Sequence, residues 1–121
     1  MSCLFRSLAY FVNTVDEEEL RHIICNYLEK NPTLMDDLSL KEILHIDGME
    51  TTDYVENMRY NSTWGGAIEI KAFCNIYQVG VVVRIQSSGK EIVFKPSSME
   101  NATCLNAVRI EWSGNHYEPV R

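Results

Sequence analysis

A thiol near one end of the chain and an imidazole near the other are the side chains best suited to chemistry. Cys3 stands directly before an apolar run, and His116 follows Asn115 close to the C-terminus. A thiol nucleophile needs a base within hydrogen-bond reach, held in place by a third polar group. Glu118 lies two residues beyond His116, and in an extended segment such residues share a face. The pattern predicts a thiol–imidazole pair, oriented by Glu118 or by Asn115.

Each of these side chains also has a purely structural interpretation. A thiol at a helix N-terminus favours the thiolate, because the helix dipole and unpaired N–H groups lower its pKa. Free cysteine is also among the most buried residue types, so Cys3 could equally be a core residue. His116 alone fits a surface histidine, and Glu118 fits an exposed acid near the terminus. Position and spacing leave both interpretations open.

The remaining cysteines and histidines lack such a placement. Cys25 and Cys74 fall within helical stretches, and Cys104 falls in a polar loop. His22 lies on the solvated flank of a predicted helix, and His45 lies in a segment without clear periodicity. The cysteines form no CxxC pair, so we expect free thiols, no metal site and no cofactor.

Composition limits the classes of protein. The chain has 121 residues and a net charge of −6, with 11 basic residues and no basic stripe. One domain spanning 1–121 fits this length. Phosphate binding requires clustered Lys and Arg, so we expect no nucleic-acid partner. No apolar run is long enough for a bilayer, and none resembles a signal peptide. We therefore expect a monomer in the cytoplasm or the nucleus that binds no membrane.

Helical periodicity dominates the first two thirds of the chain. Leu20, Ile23, Ile24, Tyr27 and Leu28 form one apolar stripe, which predicts an amphipathic helix. Asp16 is its expected cap, with Glu19 as capping-box partner. The other predicted helices cover residues 4–12, 38–46, 54–60 and 67–77. The last of these follows Trp64-Gly65-Gly66 and is apolar on most of its circumference, which predicts a central, buried helix.

Strand patterns occupy the last third. The β-branched run 81–85 and the segment 91–96 flank a turn at residues 87–89, which predicts a hairpin. Residues 107–112 alternate apolar and polar side chains, 115–120 is a further short strand, and 97–106 is a polar loop. Helices that precede strands indicate the α+β class, with the helices packed on a small, mostly antiparallel sheet.

Four motifs in order resemble one known family. They are Cys-Leu-Phe-Arg at 3–6, Tyr-Val-Glu-Asn-Met at 54–58, the stretch WGGAIEIKAF at 64–73 and NHYEPV at 115–120. Each motif alone is weak, but their order and their helix or strand context resemble the ovarian-tumour (OTU) family of cysteine deubiquitinases. The resemblance covers nearly the whole chain. It implies a papain-like α+β fold and a hydrolase that cleaves ubiquitin, or a ubiquitin-like modifier, from lysine.

The resemblance also implies roles for individual residues. Cys3 matches the family's nucleophile and His116 its general base. The third member is often an Asp or Asn two positions after the histidine, and Glu118 stands there instead. Its longer side chain must fold back to reach the ring, so Asn115 is the alternative orienting residue. The backbone N–H of Cys3 is a candidate donor to the oxyanion, and the WGG motif is expected to be structural, near the substrate channel.

The sequence departs from the family pattern before Cys3. The family usually reads Asp-Gly-x-Cys, whereas Met1 occupies the glycine position here and Ser2 the variable one. We expect either a chain that starts late or a weakened site, which would bind ubiquitin and turn it over slowly. The alternative function is thus a ubiquitin-binding module with an OTU fold and little or no catalysis. An unrelated α+β interaction domain is the third interpretation.

Overall fold

A computed structural model describes residues 3–35, 37–99 and 107–120. The described residues contain five α-helices, one two-stranded sheet and one four-stranded sheet. The helices are α1 (Cys3–Ala9), α2 (Glu17–Glu29), α3 (Leu40–Ile46), α4 (Thr51–Met58) and α5 (Ala67–Tyr77). The strands are β1 (Thr33–Met35), β2 (Leu38–Ser39), β3 (Gly80–Ile85), β4 (Glu91–Phe94), β5 (Ala107–Trp112) and β6 (Tyr117–Pro119).

Side chains at the helix ends explain where α2 and α3 begin and where α2 stops. The Asp16 carboxylate accepts a hydrogen bond from the Glu19 backbone N–H at 2.8 Å, as predicted. Ser39 and Glu42 form a reciprocal capping box at the start of α3. The helix α2 ends before Asn31, which adopts a left-handed conformation with φ of 53°. Asparagine tolerates that conformation better than most residues, so it stops the helix.

The four-stranded sheet has the order β4-β3-β5-β6. The pairs β3–β4 and β5–β6 are antiparallel, and the central pair β3–β5 is parallel. The predicted hairpin and the predicted strand 107–112 are both present, and the α+β class with a mostly antiparallel sheet is confirmed. The parallel central pair was not predicted, because local alternation does not reveal which strand will be the neighbour.

The hydrophobic core lies where the helices α1, α2 and α5 meet the sheet. α1 contacts α2, β5 and β6, while α5 contacts α2, β1, β3 and β4. The helix α5 buries a continuous run from Glu69 to Cys74, so the prediction of a central, buried helix is confirmed. In α2 the buried residues are Leu20, Arg21, Ile24, Cys25 and Leu28. This face is rotated relative to the predicted stripe and includes a charged residue.

Several element boundaries differ from the predictions. α1 ends at Ala9 instead of continuing to residue 12, and single turns follow it. α3 begins at Leu40, because residues 38–39 pair with β1. α4 begins at Thr51, three residues before the predicted start. Of the predicted loop 97–106, residues 97–99 form a 3₁₀ turn, and 100–106 lie outside the described residues. In the described ranges, no helix is both long and apolar enough to cross a bilayer.

Candidate active site

The thiol of Cys3 lies at the first residue of α1. It is partly exposed, whereas the helix buries Leu4, Phe5 and Leu8. The buried hydroxyl of Ser7 donates a hydrogen bond to the Cys3 carbonyl oxygen at 2.8 Å, so it is satisfied within the helix. The packing of this apolar face fixes the helix, and the thiol remains accessible to solvent.

The other described cysteines are placed differently. Cys25 and Cys74 are fully buried in the core. Burial raises the pKa of the Cys25 thiol to about 11, so this side chain stays protonated at neutral pH. A protonated, enclosed thiol is a poor nucleophile. Of the described cysteines, only Cys3 combines a free thiol with access to solvent. Cys104 lies outside the described residues, as do residues 1 and 2 of the departing motif.

The imidazole of His116 lies at the end of a tight turn that leads into β6. The Ser113 N–H donates a hydrogen bond to the His116 carbonyl oxygen at 3.0 Å, and Gly114 has a φ of 105°. A side chain rarely tolerates such a φ, so glycine suits this turn. The Ser113 hydroxyl donates a hydrogen bond to Asn115 Oδ1 at 3.1 Å. The amide oxygen of Asn115 therefore already has a partner within the turn.

The carboxylate of Glu118 is the acidic group beside the ring. Its Oε1 lies 3.6 Å from His116 Nε2, and both side chains are exposed. That separation exceeds a direct hydrogen bond but allows an electrostatic contact. Exposed pairs of this kind contribute little stability. The catalytic roles predicted for Cys3, His116, Glu118 and Asn115 remain predictions.

The helix α1, which begins at Cys3, is in contact with β6, the strand that follows His116. Tyr117, next to His116, is the first residue of β6, and burial is the main factor that raises the pKa of its phenol. The fold thus brings together two elements whose residues Cys3 and His116 lie 113 positions apart in sequence.

Aromatic contacts connect the WGG turn (residues 64–66) to β5 and, through it, to β6. The rings of Trp64 and Trp112 meet edge to face with centroids 6.4 Å apart. The rings of Trp112 and Tyr117 are 4.6 Å apart. Both distances lie in the favourable range for aromatic pairs. Trp64 is 46% exposed, so it lies at the surface and not in the core.

Gly65 allows the WGG turn to approach α1. A Cβ atom at this position would lie 2.8 Å from Leu4 Cδ2 and 3.1 Å from Phe5 Cε2. Carbon atoms pack at about 3.5–4.0 Å, so no larger residue fits without a shift. The turn therefore contacts α1 on one side and, through Trp64 and Trp112, the strand after His116 on the other.

Two charged residues near the WGG turn are buried, which the sequence pattern did not predict. Glu69, in α5, accepts hydrogen bonds from the Tyr54 hydroxyl at 2.5 Å and from the Gly66 N–H at 2.7 Å. Burial raises the pKa of Glu69, and these hydrogen bonds oppose the rise. Arg21 in α2 is 0% exposed. Arg21 shares a face of α2 with the apolar residues Ile24 and Leu28, and this position was the available sign of a buried charge.

No group of His, Cys, Asp and Glu side chains that could hold a metal ion occurs in the part of the chain that the structure describes. The candidate groups at this site are the thiol of Cys3 and the imidazole of His116. These can perform nucleophilic acyl transfer with proton transfer.

Sequence comparison places this chain in a family. Residues 2–118 match the family described as OTU-like cysteine protease. The ubiquitin thioesterase OTU1 of Mus musculus is 30% identical over 131 aligned residues, covering 99% of this chain and 33% of that protein. The ubiquitin thioesterase Otu1 of Drosophila melanogaster is also 30% identical, covering 98% of this chain and 32% of that protein. The chain thus spans about a third of the length of these relatives.

The fold agrees with the sequence match. A solved structure described as an ovarian tumour (OTU) domain in complex with ubiquitin superposes with a TM-score of 0.75 and 26% identity. The alignment covers 98% of this chain and 62% of that one. The viral OTU domain protease from Dera Ghazi Khan virus, at 14% identity, superposes with a TM-score of 0.71 and covers 98% and 72% of the two chains. The chain belongs to the OTU-like cysteine protease family.

Proposed function

We propose that this chain is a cysteine isopeptidase that removes ubiquitin, or a ubiquitin-like modifier, from lysine side chains. The observation that carries the proposal is the contact between α1, which begins with the partly exposed Cys3, and the strand that follows His116. The names of the relatives, ubiquitin thioesterases, and the solved complex of an OTU domain with ubiquitin support this class of substrate.

The proposed reaction proceeds through a thioester. The Cys3 thiolate attacks the carbonyl carbon at the ubiquitin C-terminus, and the bond to the lysine nitrogen breaks. His116 accepts the thiol proton and gives it to the departing amine. It then deprotonates a water molecule, which hydrolyses the thioester and restores the thiol. The protons and electrons balance without a cofactor.

The positions of groups around the proposed Cys3–His116 dyad support particular roles for them. Glu118 faces Nε2 of His116, which leaves Nδ1 for the thiol. Because Asn115 Oδ1 accepts a hydrogen bond from Ser113, Glu118 is the better orienting group. The Cys3 N–H is at the first residue of a helix, where backbone donors lack intrahelical partners. It is therefore the proposed donor to the oxyanion of the tetrahedral intermediate.

A ubiquitin derivative with a thiol-reactive group at its C-terminus tests the proposal, with intact mass as the measurement. We expect one adduct on the wild-type chain, located at Cys3 by peptide mapping, and none on Cys3→Ala. His116→Ala should slow adduct formation, whereas His22→Ala should not, because His22 is an exposed histidine on α2. Binding without an adduct would instead support the ubiquitin-binding module. Absence of both binding and adduct would overturn the proposal.

A further inference from the structure

Arg21 is a buried cation in the second helix. Its side chain is 0% exposed. Removing a guanidinium from water is unfavourable, unless hydrogen bonds and opposite charges compensate. Burial is also the main factor that lowers the pKa of Arg21, and Cys25, Glu69 and Glu17 oppose it. Arginine nevertheless stays charged in proteins.

The guanidinium binds backbone carbonyl groups of the segment that leads from α4 to the WGG turn. Nη1 donates to the Met58 oxygen at 2.7 Å, and Nη2 donates to the Thr63 oxygen at 3.0 Å. Nη2 also lies 3.4 Å from the Asn61 oxygen. This 58–63 segment (Met58 to Thr63) thus has three of its carbonyl groups directed at one side chain. Thr63 immediately precedes Trp64.

The same guanidinium lies over α1. Its central carbon is 4.2 Å from the centroid of the Phe5 ring, a cation–π contact. Phe5 is fully buried and follows Cys3 by two residues. One side chain therefore contacts both the helix of the nucleophile and the segment before the WGG turn. Beyond that turn, Trp64 meets Trp112, which meets Tyr117 beside His116.

The geometry points to Arg21 as a positioning residue for the proposed dyad: it fastens the 58–63 segment to α1, so that Trp64 holds the strand after His116 at a fixed distance from Cys3. This inference rests on the proposed function. Arg21 does not contact the reacting atoms. Lysine cannot replace it, because an ammonium is a compact charge without the planar fork that reaches separate carbonyl groups.

The variant Arg21→Lys tests this role, with Arg59→Lys as the matched control. Arg59 lies within the 58–63 segment and connects it to α2, through Glu29 at 2.6 Å and Asn26 at 3.0 Å. Among the hydrogen bonds of the described residues, its guanidinium binds neither α1 nor a carbonyl group of the segment, so Arg59→Lys leaves the connection to α1 intact. A second control, Ile24→Val, removes buried volume from α2 without changing charge, and its melting temperature indicates the effect of lost stability alone.

Three measurements on folded protein separate positioning from stability. Arg21→Lys should lower kcat on a ubiquitin fluorogenic substrate about tenfold or more and change KM less, since a misplaced group costs rate. Alkylation of Cys3 by iodoacetamide should slow. Near-UV circular dichroism should weaken while the far-UV signal stays, because the two tryptophans of the chain, Trp64 and Trp112, are the aromatic pair in question. Arg59→Lys and Ile24→Val should keep all three properties.

Unchanged kcat and near-UV signal in folded Arg21→Lys would overturn the inference, as would losses that Ile24→Val reproduces. If Arg21→Lys does not fold, Phe5→Leu decides, because it removes the ring beneath the guanidinium and keeps an apolar side chain. Wild-type near-UV signal and Cys3 alkylation in Phe5→Leu would then refute the role. If the wild-type chain does not react with ubiquitin, the proposed function fails, while the alkylation and dichroism measurements still decide the role of Arg21.

Discussion

Replacing Gly65 with alanine should harm both stability and catalysis. The added Cβ would lie 2.8 Å from Leu4 Cδ2 and 3.1 Å from Phe5 Cε2. Carbon atoms in contact prefer at least about 3.5 Å, so the turn and α1 must separate by about 0.7 Å. Leu4 and Phe5 are 1% and 0% exposed, so neither side chain can move into solvent. Overpacking of this kind costs about 1–3 kcal/mol.

The same shift should reach the thiol. Cys3 directly precedes Leu4 on α1, so a displaced helix moves Sγ relative to the imidazole of His116. A misplacement of about 1 Å can cost about 100-fold in rate. For a shift of about 0.7 Å we expect kcat/KM to fall ~10- to 100-fold.

The assay combines urea unfolding with turnover of a ubiquitin fluorogenic substrate, measured well below the unfolding midpoint. Gly66→Ser is the matched control, because a Cβ at Gly66 meets no atom within 4 Å. Serine is also a good N-cap residue for α5, which begins after Gly66. The unfolding free energy of Gly66→Ser should stay within about 1 kcal/mol of wild type, because no overpacking occurs at this position.

A double mutant identifies the responsible contact. Leu4→Val removes Cδ2, so Gly65→Ala should cost less in that background, with a coupling energy of about 1 kcal/mol. Strictly additive effects would show that Leu4 is not the obstacle. A Gly65→Ala variant with wild-type stability and wild-type kcat/KM would refute the reasoning altogether.

Three other perturbations follow from the site. Iodoacetamide at about pH 8 should label Cys3 in the native protein and spare Cys25, whose pKa is raised to about 11; equal labelling rates by peptide mapping would contradict this. Burial raises the pKa of Glu69 in the folded protein above its usual unfolded value of about 4.3. The unfolding free energy of wild type should therefore fall, relative to that of Glu69→Gln, as the pH rises from that value through the folded pKa. If the difference in unfolding free energy between wild type and Glu69→Gln does not change with pH, this prediction is wrong. Glu118→Gln should lower kcat by less than the ~100-fold typical of a lost general base, because the carboxylate is exposed and 3.6 Å from the ring, whereas Asn115→Ala should leave kcat unchanged; the reverse ranking would assign the orienting role to Asn115.

Local patterns were sufficient for most of the elements. The alternation in residues 107–112 predicted β5 with its observed bounds, and the polar residue Asp16 predicted the cap of α2. The apolar circumference of 67–77 predicted a buried helix, which is α5. These features depend on interactions between residues a few positions apart, which a sequence displays directly. The order of four short motifs likewise indicated the family that the comparisons establish.

Long-range packing decided the rest. Periodicity tells which face of an element is apolar but not which neighbour covers it, so the parallel pairing of β3 with β5 was not predictable. The residue types at Cys3 and His116 predicted a pair, but which helix and strand would meet, α1 and β6, was visible only in the tertiary structure. Nor could the sequence show that the guanidinium of Arg21 lies over the Phe5 ring and is directed at carbonyl groups about 40 residues away. A buried charge is tolerated only where the folded chain supplies its partners, so the tertiary structure alone determined that Arg21 belongs to the core.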